Sequence, residues 1–307
     1  MENVIEARGI SRHLSGVPVL DRIQFDVNKG QCIGVAGAGG SGKTTLLRTL
    51  AGLYQPTQGE LFVLQLNARL NGKGIRARVG MMPERDGFEP ELNCLDALVA
   101  HGALYGLPIA RLKSAGRELL RRVQLDEAEQ WPVHALKRGQ MRRLSLARAL
   151  IHGPEILFVD APIRDLLPPE RRLLWTLFQE QKQRGITMVI ASRDLDELEK
   201  LCDRVIILDR GVIACQGKPE TLIEHHIGKK VVEYEVALHD IDYHLQALKG
   251  QFQYQLLGDK LKIFLREAVD VQTAFRWVPS EKVLYRRAYL KDVYVKLMGH
   301  DLGGGSL

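Results

Sequence analysis

One stretch constrains this chain more than any other. Gln31-Cys32-Ile33-Gly34-Val35-Ala36 is an apolar run suited to a buried strand, and Gly37-Ala38-Gly39-Gly40-Ser41-Gly42-Lys43-Thr44 is a glycine-rich turn. Thr45-Leu46-Leu47-Arg48-Thr49-Leu50 then continues as a helix. Glycines reach positive φ at little cost and carry no side chain, so successive backbone N–H groups can point inward at phosphate oxygens. A helix starting near Gly42 adds its positive dipole end and its unpaired N–H groups. In a G-x-x-x-x-G-K-[ST] pattern set between strand and helix, Lys43 reaches the β- and γ-phosphates and Thr44 offers its hydroxyl to Mg²⁺. The expectation is a phosphate-binding loop made of Gly37, Ala38, Gly39, Gly40, Ser41, Gly42, Lys43, Thr44 and Thr45. A glycine-rich turn with a chance lysine would not carry the strand, the helix and the full spacing together.

A chain of 307 residues with 45% hydrophobic side chains can bury a core, as two compact domains or one large one. The net charge of +6 and pI near 9.1 suit an anionic membrane face or a polyanionic ligand, and are too modest to argue nucleic-acid binding alone. Cys32, Cys94, Cys202 and Cys215 stand singly in sequence, so they read as buried thiols in a reducing compartment. The start, Met1-Glu2-Asn3-Val4-Ile5-Glu6, lacks a signal-peptide apolar stretch, and no apolar run approaches the ~20 residues that span a bilayer. The expectation is a cytosolic protein whose membrane role, if any, runs through a partner.

Residues 4–7 and 19–27 have apolar side chains at strand spacing, with Asn28-Lys29-Gly30 turning into the strand before the glycine loop. After a helix over 43–51 come a turn at Pro56-Thr57-Gln58-Gly59, a strand over 60–64, a glycine- and arginine-rich link over 71–78 and a strand over 79–82. From 93 to 152 the spacing is helical, with Leu95, Leu98, Val99 and Leu104, then Leu112, Leu119, Leu120 and Val123. The α/β alternation resumes with a buried strand over 156–159, a helix over 169–183 and strands over 187–191 and 205–208. Beyond Ile227 the order is strand (230–238), helix (241–248), hairpin (251–257 and 260–265), helix (269–277) and strand (282–289), which fits a small ferredoxin-like module. The tail Gly303-Gly304-Gly305-Ser306 reads as loose.

Four further tracts carry a family resemblance. Ala135-Leu136-Lys137-Arg138-Gly139-Gln140-Met141-Arg142-Arg143-Leu144-Ser145-Leu146-Ala147-Arg148-Ala149-Leu150 is one, and Pro154-Glu155-Ile156-Leu157-Phe158-Val159-Asp160 is the second. The third runs over 194–211 with Asp196-Glu197-Leu198-Glu199 and Asp209-Arg210-Gly211, and the last over 286–302 with Leu290-Lys291-Asp292-Val293-Tyr294. With the glycine loop, and in this order, they resemble the signature motif, the Walker B strand, the segment after the switch histidine and the C-terminal segment of ABC transporter ATP-binding subunits. The C-terminal tract is similar to that of exporter subunits of the drug and nodulation-factor kind.

The resemblance implies an α/β fold: a P-loop NTPase of ABC type over 1–226, with an inserted helical subdomain at about 93–152, followed by a small α+β, ferredoxin-like domain over 227–307. It implies ATP and Mg as ligands, with Thr44, Asp160 and Glu84 holding the metal. It also implies a head-to-tail homo- or heterodimer in which Lys137, Arg138, Gly139 and Gln140 face the ATP of a second nucleotide-binding domain. The helical insert would touch an integral-membrane permease, placing the chain in the cytoplasm on the inner face of the cell membrane. No nucleic-acid partner is expected.

Against that pattern, the hydrolytic positions are altered. Ala161 stands where the family has the glutamate that orients or deprotonates water, and a methyl group can do neither. Arg193 stands at the switch histidine; its five donors and permanent charge cannot relay a proton, but can neutralise a γ-phosphate. Glu84 replaces the Q-loop glutamine, Lys137 the signature serine, and Asp165-Leu166-Leu167-Pro168 the usual D-loop. Leu14, beside His13, aligns with the aromatic that stacks on adenine. Arg138, Arg142, Arg143 and Arg148 read as a solvated helix face with Arg148 half-buried, and Trp131, Trp175 and Trp277 as core fillers. The expectation is an exporter subunit that binds MgATP and hydrolyses it poorly, with a partner chain supplying most turnover. Alternatives are an active ATPase with a substitute base, a soluble ABC protein acting on nucleic acid or ribosomes, or an ATP-dependent clamp on a permease.

Overall fold

The apolar run before the glycine loop forms β3 (Cys32–Ala36), buried at every residue. It lies inside a sheet with β6 (Val79–Met82), β7 (Ile156–Asp160), β8 (Thr187–Ser192), β9 (Arg204–Asp209) and β10 (Val212–Gly217), in the order β10-β9-β3-β8-β7-β6. The structure is a computed structural model and describes residues 2–266, 274 and 283–299. All neighbours in this sheet run parallel except the β10 edge. The register sets the site: Ala36 pairs Ser192, Asp160 pairs Ala191 and Met82 pairs Val159. The segments that follow these strands therefore leave the sheet side by side at its carboxyl edge, the place where open α/β sheets bind ligands.

Side chains alternate across the sheet. Ile156, Phe158, Val189 and Ala191 face one core, and Leu157, Val159, Met188 and Ile190 face the other. The first core is closed by α1 (Lys43–Leu50) and an antiparallel sheet of β1 (Asn3–Leu14), β2 (Val17–Asn28), β4 (Gln58–Val63) and β5 (Leu66–Asn67). The second is closed by α3 (Cys94–Ala103), α4 (Ile109–Arg122), α5 (Arg138–Leu150) and α6 (Pro168–Gln183). Both faces are covered, so the strands read as continuous apolar runs rather than alternating ones. Residues 71–78, expected as a link, instead form a short helix, α2 (Gly72–Arg78), anchored by buried Ile75 despite two helical glycines.

The helices carry three further departures from the sequence reading. Arg142, Arg143 and Arg148 are 3%, 8% and 9% exposed, so they are not a solvated face. Backbone carbonyls accept from their guanidinium groups: Arg143 donates to Val123 O and Gln124 O while its buried Nε is left without a partner, and Arg148 donates to Gly87 O while stacking on Phe88. Helical spacing cannot reveal this, because the acceptors come from distant loops. Leu104 of the expected apolar stripe is 81% exposed, and Trp131 is 47% exposed while Trp175 is buried. Trp277 lies outside the described residues. Cys32, Cys94 and Cys202 are buried and Cys215 half-buried, with Cys32 and Cys202 only 3.6 Å apart at sulfur.

After α7 (Leu195–Leu201), β10 and α8 (Pro219–His226), the chain enters a third sheet. It comprises β11 (Lys230–Glu235), β12 (Gln253–Leu257), β13 (Lys260–Leu265) and β14 (Val283–Arg287), in the antiparallel order β12-β13-β11-β14. With α9 (Ile241–Leu248) between β11 and β12, this is the strand order of the split β-α-β arrangement. The helix expected over 269–277 lies outside the described residues. The last helix, α10 (Leu290–Met298), does not stay with this sheet's own core. Its Leu290, Val293 and Tyr294 are buried in the core that also holds Leu198 of α7 and Leu222 of α8. Each such apolar side chain contributes roughly 1.5–3 kcal/mol on burial.

Candidate functional site

Gly42 caps α1 with a φ of 101°, and a Cβ there would sit 2.9 Å from both Leu20 Cδ2 and Val19 O. Only glycine meets both demands. No side chain caps this helix, which leaves its first N–H groups free to receive an anion. Lys43 Nζ donates to Gly37 O and Ala38 O at 2.7 Å each and to Ser41 Oγ at 3.2 Å, so its three protons lie along the loop. Burial, and next the charge of Arg193, lower the Lys43 pKa to about 8, with Asp160 opposing them. Burial raises the Asp160 carboxyl, while a hydrogen bond from Thr44 and the charge of Lys43 pull it down.

These groups border one cavity of about 880 Å³, within the size range of small-molecule sites. Gly39, Gly40, Gly42, Lys43, Thr44 and Thr45 form its floor, and Asp160, Ala161, Glu84 and Arg193 its walls. Gly37, Ala38 and Ser41 contribute through the atoms that hold Lys43. A carboxylate at the end of β7 and the hydroxyl of Thr44 in the first turn of α1, joined by a hydrogen bond, are hard oxygen donors, the chemistry that suits Mg²⁺ bound through few protein ligands and phosphate. Glu84 is not free in the same way: its carboxylate accepts a hydrogen bond from Arg164.

Ala161 holds a left-handed φ of 44° and lines the cavity with its methyl group. Arg193 follows β8 and lies so close to the loop that a Cβ on Gly39 would approach its Nη2 to 2.7 Å. Leu14, aligned in sequence with the adenine-stacking aromatic, does not border the cavity, whereas Val19 does.

None of Lys137, Arg138, Gly139 and Gln140 borders this cavity. They form the start of α5, where Gln140 Oε1 accepts the Lys137 N–H at 2.9 Å and Arg138 bonds Asp165 at 2.9 Å. Gly139 is packed under the Glu170 carboxyl so closely that any Cβ would collide with it. Sequence reading missed Arg142, whose guanidinium joins Pro83 O (2.7 Å), Asp86 (2.8 Å) and Pro162 O (3.1 Å), tying the segment after β6 to the segment after β7.

A strand-loop-helix cradle, a carboxylate at the neighbouring strand end and a helical layer starting from a glycine-bearing turn define a P-loop nucleotide-binding protein of the ABC kind. The ABC transporter family model matches residues 20–164. The Nod factor export ATP-binding protein I of Bradyrhizobium diazoefficiens is 30% identical over 299 residues, covering 97% of both chains. That of Ralstonia nicotianae is 32% identical over 306 residues, covering 97% of this chain and 95% of the relative. Among solved structures, an ATP-binding subunit of an ABC transporter superposes with a TM-score of 0.66 at 22% identity, covering 72% of this chain and 92% of that one. The chain belongs to the ATP-binding subunits of ABC transporters, and its relatives are of the exporter type. Among the described residues no helix is long and apolar enough to cross a membrane.

Proposed function

We propose that this subunit grips MgATP, closes with a second nucleotide-binding domain around it and works on an exporter permease, while hydrolysing ATP poorly itself. The observation that carries the reading is the contrast within one cavity. Lys43, Thr44, Asp160, Ala161 and Arg193 all border it; the first three carry groups that suit a magnesium nucleotide, and the last two stand where the family resemblance puts the residues that would activate water. Lys43 exchanges its backbone acceptors for phosphate oxygens, and Thr44 with Asp160 supplies the oxygens for the metal. With Mg²⁺ held there, Thr44 and Asp160 would position a charge that neutralises the phosphates. Arg193 adds a second cation. At the two positions that would activate water neither side chain can take a proton: alanine ends in a methyl group and arginine has no acceptor, while Glu84 is paired with Arg164. A missing general base costs about 10²–10⁴ in rate.

The signature segment starting at Lys137 does not border this cavity, which supports its serving the nucleotide of a second subunit. The relatives' names support an exporter permease as the membrane partner. Protein incubated with MgATP, freed of excess nucleotide and then denatured should yield ATP rather than ADP. Recovery of ADP alone would overturn the reading. Co-purification with a polytopic membrane protein is expected; co-purification with RNA instead would favour the soluble alternative.

A further inference from the structure

Lys291 belongs to the C-terminal module, yet it borders the same cavity as Lys43 and Arg193. We propose that Lys291 is a phosphate-contacting residue lent by the C-terminal module to the nucleotide site, so that the docking of this module responds to nucleotide occupancy. The inference rests on the nucleotide reading given above.

The charges of the cavity wall point this way. Arg164 pairs with Glu84 and Asp165, Arg171 with Asp194 at 3.8 Å, and Lys43 is held by the loop it serves. That leaves Arg193 and Lys291 as the wall cations with no carboxylate partner among the described residues. Lys291 Nζ does lie 5.3 Å over the ring of Tyr289, a contact with no carboxylate in it. Asp160 and Asp196 also border the cavity without an ion pair among the described residues, so the wall is mixed in sign, and what Arg193 and Lys291 offer a polyanion is two uncommitted cationic donors whose attraction a low-dielectric wall strengthens.

The backbone around Lys291 is fixed on both sides. The amide of Leu290 donates to Glu199 Oε2 of α7 at 2.8 Å, and Arg287 donates to the same carboxylate at 3.3 Å. On the other side, fully buried Asp292 takes two bonds from Arg286, at 2.7 and 2.8 Å, and a third from the amide of Tyr289 at 3.0 Å. Lys291 is therefore held in place while its neighbours turn inward. It also sits in the first turn of α10, next to the positive end of the helix dipole, where a cation is disfavoured. A nearby phosphate offsets that misfit. Because α7 begins two residues after Arg193 and carries Glu199, the switch position and the start of α10 are joined by one short rigid element.

The test uses the full-length chain. MgATP and MgADP affinities are measured by calorimetry for wild type, Lys291→Ala, Lys291→Arg and Lys43→Ala, with amide exchange followed at residues 290–292. Lys291→Ala should weaken MgATP binding about three- to ten-fold at low salt, with the difference shrinking as salt screens it, while Lys291→Arg should stay within about two-fold of wild type. MgATP should slow exchange at residues 290–292 in wild type and not in Lys291→Ala. Equal affinities for wild type and Lys291→Ala, with exchange indifferent to MgATP, would overturn this inference alone. Absence of MgATP binding by wild type would overturn the nucleotide reading itself and this inference with it.

Discussion

The amide of Ala161 donates to the carbonyl of Ala191 at 2.9 Å while Ala161 holds a φ of 44°. The residue that follows Asp160 is thus bent back onto β8, in a left-handed conformation and with only a methyl side chain. A left-handed residue other than glycine costs roughly 1–2 kcal/mol, and glycine returns about half of that through its looser unfolded chain. Ala161→Gly should therefore stabilise the protein by about 0.5–1 kcal/mol, raising Tm by a few degrees in thermal unfolding. A lowered Tm would show that the bend is not strained.

Lys43 needs its proton to meet phosphate, and in the free protein its pKa lies at about 8. It is fully charged below that value and loses charge as pH rises through it. MgATP affinity should hold between pH 6 and 7 and fall about ten-fold by pH 9, because the ligand must then bind together with a proton. Since Arg193 is one cause of the depression, Arg193→Ala should move the break to higher pH. An affinity that does not change with pH would show that Lys43 is not the phosphate ligand.

Arg142 is bound on all sides by Asp86, Pro83 O and Pro162 O, and Asp86 is itself largely buried. Arg142→Ala leaves a buried carboxylate and two carbonyls without their partner, a change that costs about 3–5 kcal/mol. Thermal unfolding should shift down by about ten degrees. A change of less than about 1 kcal/mol, the range of surface substitutions, would mean that the loops find other partners.

The parts legible in sequence were those whose signal is local. The phosphate loop combines spacing with a strand and a helix start, and β7 and β8 are uninterrupted apolar runs because both faces of their sheet are covered. What was not legible depends on residues brought together by the fold. The burial of Arg142, Arg143 and Arg148 follows from carbonyls in distant loops, which helical spacing reads as solvent. The pairing of Glu84 with Arg164 joins two segments after neighbouring strands, so the carboxylate read as a metal ligand is already engaged. Lys291 reaches the cavity only because Glu199 and the core under α7 dock α10 there. Its one local trace was a lysine in the first turn of a helix.

The central claim is that this chain keeps the groups that hold ATP and lacks those that break it. Phosphate release at saturating MgATP, measured on wild type and on Ala161→Glu combined with Arg193→His, tests it most directly. Release near background is expected for wild type, with a rise of about 10²-fold or more for the double variant, the contribution of a restored base. Wild-type turnover of about 1 s⁻¹ or faster, unchanged by the two substitutions, would contradict it.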